Sequence, residues 1–369
     1  MKSLRILVVG QTPPPYGGQA VMIQLLLEGA YTDIELVHVR MNFSQELDSA
    51  GKFRLAKVFE LFRVVIAIYR TKFKFHPEVL YYPPAGPHLF PVLRDVVILG
   101  LTRWLFRTTV FHFHASNLSE FFQGMTPLLR KPFQIAFARP DLAIQISSKA
   151  PADGRNLGCK REIIVPNGIP DDAGEYIARS IHAGSRIKLL FVALLCEGKG
   201  VLVAIQAVQD LMRAGADIEL TCLGKWESRE FEGRAAALIE QQFRQRFNFP
   251  GVVIGAEKWE YYRDAHIFLY PSFVAYDTFP VVLLEAMCFS LPIVSTTWHG
   301  IPDLVEEGSC AFLCQPRDVE CCREALRILI SDSSLRNNMG KHSRERFLRH
   351  FTVEQYRRAM ERAFASLRG

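Results

Sequence analysis

The 369-residue chain has no apolar run approaching the ~18 residues that a membrane-spanning helix requires. Its longest candidates, Val64–Tyr69 and Val96–Leu101, are broken by Arg63, Arg70, Asp95 and Arg103. The eight cysteines include no Cys-x-x-Cys metal pair and fit no small disulfide framework. Cys196, Cys222 and Cys288 stand among apolar neighbours, as reduced core thiols do. Met1–Gly10 enters a strand without a cleavable leader, so a cytoplasmic protein is expected. The Gly-x-Gly-x-x-Gly fingerprint of dinucleotide folds is missing. Asp171 and Asp172 are adjacent, so the Asp-x-Asp that would hold a metal-bound diphosphate is missing too. With 49% hydrophobic and 22% charged residues the chain is globular, and its length suggests two domains.

Acidic residues are scarce in one region. Between positions 51 and 150, fourteen Lys/Arg stand against five Asp/Glu, a local +9 within a total of +6. Nucleic acid is one partner that suits such a patch and an anionic membrane surface is another; the expected partners include the membrane and no nucleic acid. Lys52–Arg63 interleaves basic with bulky apolar residues, as an interfacial helix does. A surface helix with its apolar side packed inward would read the same way.

Short apolar strands alternate with helical stretches. Leu4–Val9, Ile34–Val39, Glu78–Tyr82, Thr108–His112, Asp141–Ser147 and Glu162–Val165 predict one series of strands. Ile187–Val192, Ile218–Leu223, Val252–Ile254, Ile267–Tyr270 and Ile293–Ser295 predict a second. Helices are expected over Ala20–Glu28, Val201–Ala214, Phe231–Phe247 and Val281–Cys288, among others. Alternation of this length implies parallel sheets with helices on both faces. The expected class is α/β, two doubly wound Rossmann-like domains facing a cleft, with ligands at the carboxyl ends of the strands. The turn-rich Pro166–Asp172 puts the boundary near 170–185. The division is then 1–180, 181–350, and a terminal helix, 351–369, that crosses back onto the first domain.

Four constellations could carry chemistry. Strand Ile6–Gly10 runs into Pro13-Pro14-Pro15-Tyr16-Gly17-Gly18 and a helix from Ala20. Glycines there let backbone approach a ligand, and the helix start offers N–H groups to an anion, although a plain flexible turn looks alike. His112 and His114 share a face at a strand end, and His114 could position a substrate hydroxyl. With no third ligand in view a metal is disfavoured, and His112 reads as a structural histidine. Cys196-Glu197-Gly198-Lys199-Gly200 opens a helix, where Lys199 meets phosphate or is simply solvated. In Tyr270–Met287 an apolar strand stops at Pro271, a loop carries Asp277, and a helix starts near Pro280 with Glu285 inside it. Two carboxylates eight positions apart around free helix N–H groups suit sugar hydroxyls beside phosphate. Asp277 could equally be a helix cap. Glu285, between Leu284 and Ala286-Met287, needs a partner.

The run Asp277-Thr278-Phe279-Pro280-Val281-Val282-Leu283-Leu284-Glu285-Ala286-Met287, with Leu291-Pro292-Ile293-Val294 after it, resembles the signature of the retaining GT-B glycosyltransferases of family 4. That pattern is E-x7-E, then A-M and G-x-P-V-V. The Pro-Pro-Pro-Tyr-Gly-Gly turn, Phe113–Ser116, Val165–Ile169, the 197–200 loop, Tyr270–Ser272 and His299–Val305 match the family in order. The resemblance implies that Glu285 binds the nucleotide ribose and that Asp277 contacts the donor sugar near the reaction centre. It implies that the backbone of Thr278, Phe279, Pro280 and Val281 meets the sugar or diphosphate, and Lys199 the diphosphate. Gly17 and Gly18 would approach the phosphates, and His114 the transferred sugar. Three positions depart from the pattern: Asp277 for the usual glutamate, Leu194 where many members carry a phosphate-binding arginine, and Ser290 for a common glycine.

The implied activity is transfer of a sugar from a UDP- or GDP-sugar to an acceptor hydroxyl, with retention and with no cofactor or metal. The acceptor would be a glycan or lipid-linked precursor of bacterial surface polysaccharide, met at the inner face of the membrane. Nucleotide-sugar epimerisation on the same architecture is the alternative, and a non-catalytic binding module a more distant one.

Overall fold

The computed structural model describes residues 3–14, 17–43, 55–174, 186–274 and 278–368. The chain divides into two compact units, Met1–Gly168 with Val353–Gly369, and Ile169–Thr352.

The first unit runs β1 (Leu4–Gly10), α1 (Gly18–Leu27), β2 (Ile34–Arg40), α2 (Leu55–Phe75), β3 (Val79–Tyr82), α3 (Leu89–Thr102), β4 (Thr108–Phe113), α4 (Leu118–Gln123), α5 (Pro127–Phe137), β5 (Leu142–Gln145), α6 (Asp153–Asn156) and β6 (Glu162–Ile164). Its strands pair in parallel in the order β2-β1-β3-β4-β5-β6. The near-continuous apolar runs of β1, β3 and β5 are what a sheet buried on both faces demands. Successive residues point to opposite faces, so β1 splits its side chains between two cores. Leu7 and Val9 join Val64 and Ile68 of α2 and Ile98 of α3, whereas Ile6 and Val8 join Met22 and Ile23 of α1.

The second unit runs β7 (Ile187–Val192), α7 (Val201–Arg213), β8 (Ile218–Leu223), α8 (Arg229–Leu238), β9 (Phe247–Gly251), α9 (Ala256–Asp264), β10 (Ile267–Leu269), α10 (Val281–Cys288), β11 (Ile293–Thr296), α11 (Ile301–Leu304), β12 (Ala311–Cys314), α12 (Val319–Ser331) and α13 (Ser333–His350). Its sheet is again parallel, ordered β12-β11-β10-β7-β8-β9. The last helix, α14 (Val353–Ala365), returns to the first unit, where Met360 and Phe364 pack on Ile6, Val8 and Tyr81.

The structure corrects the sequence expectations at four points. The unit border falls at Gly168, before the expected 170–185. Ile169 N donates to Phe351 O at 3.0 Å and Ile169 bridges Thr352, which ties the segment to the second unit. The expected strand Val252–Ile254 is a loop with Val252 and Ile254 exposed, because Gly251 (φ +87°) ends β9 before it. The expected helix Phe231–Phe247 stops at Leu238 and gives way to a 3-10 turn over Gln241–Arg246. Cys314 and Cys321 are disulfide-bonded, although the sequence marked no pair. The end of β12 and the first turn of α12 bring their Cα atoms to 5.6 Å. Cys196, Cys222 and Cys288 are free and buried. Among the described residues no helix is long and apolar enough to cross a membrane.

Candidate functional site

In the second unit, β7 and β10 are parallel neighbours, so their carboxyl ends bring two of the marked segments together. After β7, Glu197–Lys199 forms a 3-10 turn and Gly200 (φ +80°) leads into α7. A Cβ on Gly200 would lie 2.1 Å from the Pro271 carbonyl oxygen, so both the left-handed backbone and the close approach demand glycine. A Cβ on Gly198 would strike Val274 at 2.7 Å, and Phe273 N donates to Gly198 O at 2.7 Å. The lysine loop is thereby fitted to the chain leaving β10. Lys199 Nζ donates to the Tyr270 hydroxyl at 2.9 Å and lies over that ring. Trp298 Nε1 donates to Val274 O at 2.8 Å, and the Arg317 guanidinium sits 4.7 Å over the Phe273 ring.

The chain then reaches α10 through Thr278, Phe279 and Pro280, all three buried. Pro280, at the N-cap of α10, makes no side-chain hydrogen bond to the first turn that begins at Val281. Asp277 lies outside the described residues, as do Pro15 and Tyr16 of the N-terminal turn.

Glu285 is buried, and the partners its apolar setting required come from α9. Its Oε1 accepts from Lys258 Nζ at 2.6 Å and its Oε2 accepts from the Tyr262 hydroxyl at 2.6 Å. Burial and the Glu285 charge hold the Tyr262 phenol well above its ordinary range, so it remains a donor. Asp172 completes the cluster: burial, then Glu285 and Asp171, raise its carboxyl, against Lys258 and Arg263. A carboxylate accepts from, and the neighbouring ammonium donates to, a pair of adjacent hydroxyls. The sequence reading missed Lys258, Tyr262 and Asp172. Lys258 and Tyr262 lie a helical turn apart on one face of α9, but nothing in the pattern says that this face meets α10.

In the first unit, Gly17 precedes α1 with an extended φ of −113°, and a Cβ there would meet nothing within 4 Å. The fold itself therefore makes no demand for glycine at that position. Gly18 is the first residue of α1. Arg40, unmarked in the sequence reading, gathers the turn by donating to the carbonyl oxygens of Thr12 and Pro13 at 3.2 and 3.0 Å. At the end of β4, His112 Nδ1 and the Tyr81 hydroxyl are 2.6 Å apart, a structural bond. The His114 ring stacks 4.0 Å from it. Burial pushes the His114 imidazole down to about 4, with Asn167 opposing, so the ring is neutral near pH 7. Among the described residues no group of three or more His, Cys, Asp or Glu could hold a metal ion. Gly17, Gly18 and His114 thus belong to the first sheet's carboxyl end, and Lys199, Thr278–Val281 and Glu285 to the second's.

Residues 186–332, which carry β7 through α12, match the family described as glycosyl transferases group 1. This segment is a group 1 glycosyltransferase domain. Over 220 residues the chain is 33% identical to the colanic acid biosynthesis glycosyltransferase WcaL of Salmonella typhimurium, covering 58% of this chain and 52% of that protein. The chain spans between about half and three-fifths of the length of that protein, of the WcaL of Escherichia coli and of the amylovoran glycosyltransferase AmsK of Erwinia amylovora. Sucrose-phosphate synthase from Thermosynechococcus elongatus superposes with a TM-score of 0.75 at 17% identity, over 98% of each chain. Anabaena HepE, solved in complex with UDP, superposes with 0.74 at 15%, over 99% of this chain and 100% of that one. These likenesses establish the fold, the GT-B pairing of two Rossmann-like units. In this glycosyltransferase domain Ser290 adopts φ +58°, the left-handed region that explains why glycine is common there. Leu194, at the site of the usual arginine, is 41% exposed beside the backbone pairing of Leu195 with Lys225.

Proposed function

We propose that this protein transfers a sugar from a nucleoside diphosphate donor, UDP- or GDP-linked, to an acceptor hydroxyl, with retention and without a metal. The observation that carries the reading is Glu285, buried yet held by Lys258 and Tyr262 of α9, on the helix that follows the β10 segment against which the Lys199 loop is packed. Glu285 and Lys258 would take the ribose hydroxyls, and the α10 N–H groups with Lys199 the diphosphate. Asp277 would contact the donor sugar; the first unit, taken by itself, offers the open backbone of Gly17 and Gly18 to a phosphate and the neutral His114 to a sugar hydroxyl. Catalysis would then rest on positioning and on charge stabilisation of the leaving diphosphate. The exposed Leu194 leaves that diphosphate without a guanidinium fork, so Lys199 carries more of the neutralisation.

The acceptor in this reading is a lipid-linked or polysaccharide-precursor glycan in bacterial surface polysaccharide synthesis, reached from the cytoplasm at the membrane's inner face. The colanic acid relative supports the polysaccharide assignment and favours transfer over epimerisation. A mass-spectrometric screen of UDP- and GDP-sugars tests it: donor turnover that needs an acceptor, survives excess chelator and yields a product of unchanged anomeric configuration is expected. An epimer formed without acceptor, or activity lost to chelator and restored by manganese, would contradict it.

A further inference from the structure

α2 and α3 of the first unit turn an unusual face outward. On α3 the side chains of Leu89, Phe90, Leu93, Val97 and Leu101 are all exposed, and Trp104 just beyond it is 70% exposed. Their spacing places them along one side of the helix. The only charges on α3, Arg94 and Asp95, pair with each other at 2.7 Å. Asp95 is wholly buried, accepting from the Tyr82 hydroxyl at 2.7 Å and from Ala85 N at 2.8 Å. The ion pair points in and the apolar stripe points out, the reverse of an ordinary surface helix.

α2 extends the stripe. Val64 and Ile68 fill the core, while Phe59, Phe62, Ile66 and Phe73 are exposed on the other side. Tyr69 joins the two helices, edge-on to Trp104 at 6.3 Å and donating to Leu101 O at 2.9 Å. The rim is basic: Arg70, Lys74 and Arg107 are exposed. Glu60, the one acid among the described residues of α2, is already held by Arg63 at 2.6 Å.

We propose that the joined outer faces of α2 and α3 form a docking surface for an anionic lipid bilayer. An apolar centre with a tryptophan and a tyrosine at its edge matches the headgroup–acyl boundary, and the basic rim matches anionic headgroups. A second copy of this chain is the poorer occupant, because two such faces would oppose basic rims. The sequence marked Lys52–Arg63 for this role. Residues 51–54 lie outside the described residues, and the stripe on α3 went unmarked because its spacing reads equally as core. The proposal specifies the membrane contact of the reading above, yet vesicle binding is measured without turnover, so either can fail alone.

The test is co-flotation of the full chain with phosphatidylcholine vesicles, with and without phosphatidylglycerol, alongside tryptophan fluorescence. Binding is expected to the anionic vesicles, to weaken in high salt, and to shift the emission to the blue in wild type but not in Trp104→Phe. Leu93→Gln with Val97→Gln should weaken binding by about tenfold or more. Arg70→Gln with Lys74→Gln should weaken it by roughly fivefold per charge at low salt. All these sites are exposed, so the melting temperature should hold. No flotation, equal binding to neutral vesicles, variants that bind like wild type, or a concentration-dependent dimer that hides Trp104 would each overturn the proposal.

Discussion

The sharpest consequence of the cluster on α9 and α10 is that its folding role and its binding role can be separated. Lys258 and Glu285 keep only 18% and 10% of their side-chain surface exposed, so each is nearly desolvated and depends on the other. Removing one partner of a fully buried pair costs about 3–5 kcal/mol; with this residual exposure about 2–3 kcal/mol is expected. For a unit of this size that lowers the melting temperature by roughly 5–10 °C. Lys258→Met and Glu285→Met should both show the loss. The double variant replaces the pair with apolar side chains of similar length and should recover to within about 1–2 kcal/mol of wild type. The assay is thermal denaturation with and without UDP and GDP. A nucleotide at a hundredfold excess over its Kd adds about 2.7 kcal/mol, a shift of several degrees. Wild type should show that shift with one of the two, and Lys258→Met should keep part of it. Glu285→Met and the refolded double variant should lose it. A double variant that melts like wild type and still responds fully to nucleotide would refute the ribose role and leave Glu285 a purely structural acid.

Three further outcomes follow from the same geometry. Gly200→Ala, which sets a Cβ against the Pro271 carbonyl at positive φ, should destabilise by about 2–4 kcal/mol in denaturant melts. Gly17→Ala has open space around its Cβ and an ordinary φ, so it should leave stability within about 0.5 kcal/mol while weakening donor binding in calorimetry. His114 titrates lower in the folded chain than in the unfolded one, so the unfolded state takes its proton first. Stability should fall as pH drops from about 6.5 toward 4 and level off below, by about 3 kcal/mol. His114→Asn should flatten that slope, and a parallel slope in both proteins would contradict the assignment.

Much of the fold was legible because local pattern and tertiary role coincide. Leu4–Gly10 and Ile187–Val192 are apolar runs too short for anything but buried strands, and both lie inside their parallel sheets. The helix starts beside Gly200 and Pro280 also read correctly, since a glycine's left-handed φ and a proline's fixed φ are local properties, although Pro280 is the extended residue just before the first turn rather than part of it. Glu285 announced its need for a partner through its apolar neighbours alone.

What the amino-acid order could not decide is which distant surfaces meet. The supply of Lys258 and Tyr262 to Glu285 and the bonding of Cys314 to Cys321 each join residues whose local patterns carry no mark of the other. The same limit governs α3: periodicity places Leu93 and Val97 on a face but is blind to whether anything covers it. Periodicity is a property of one segment, whereas burial is a property of the pair of surfaces that the closed chain brings together.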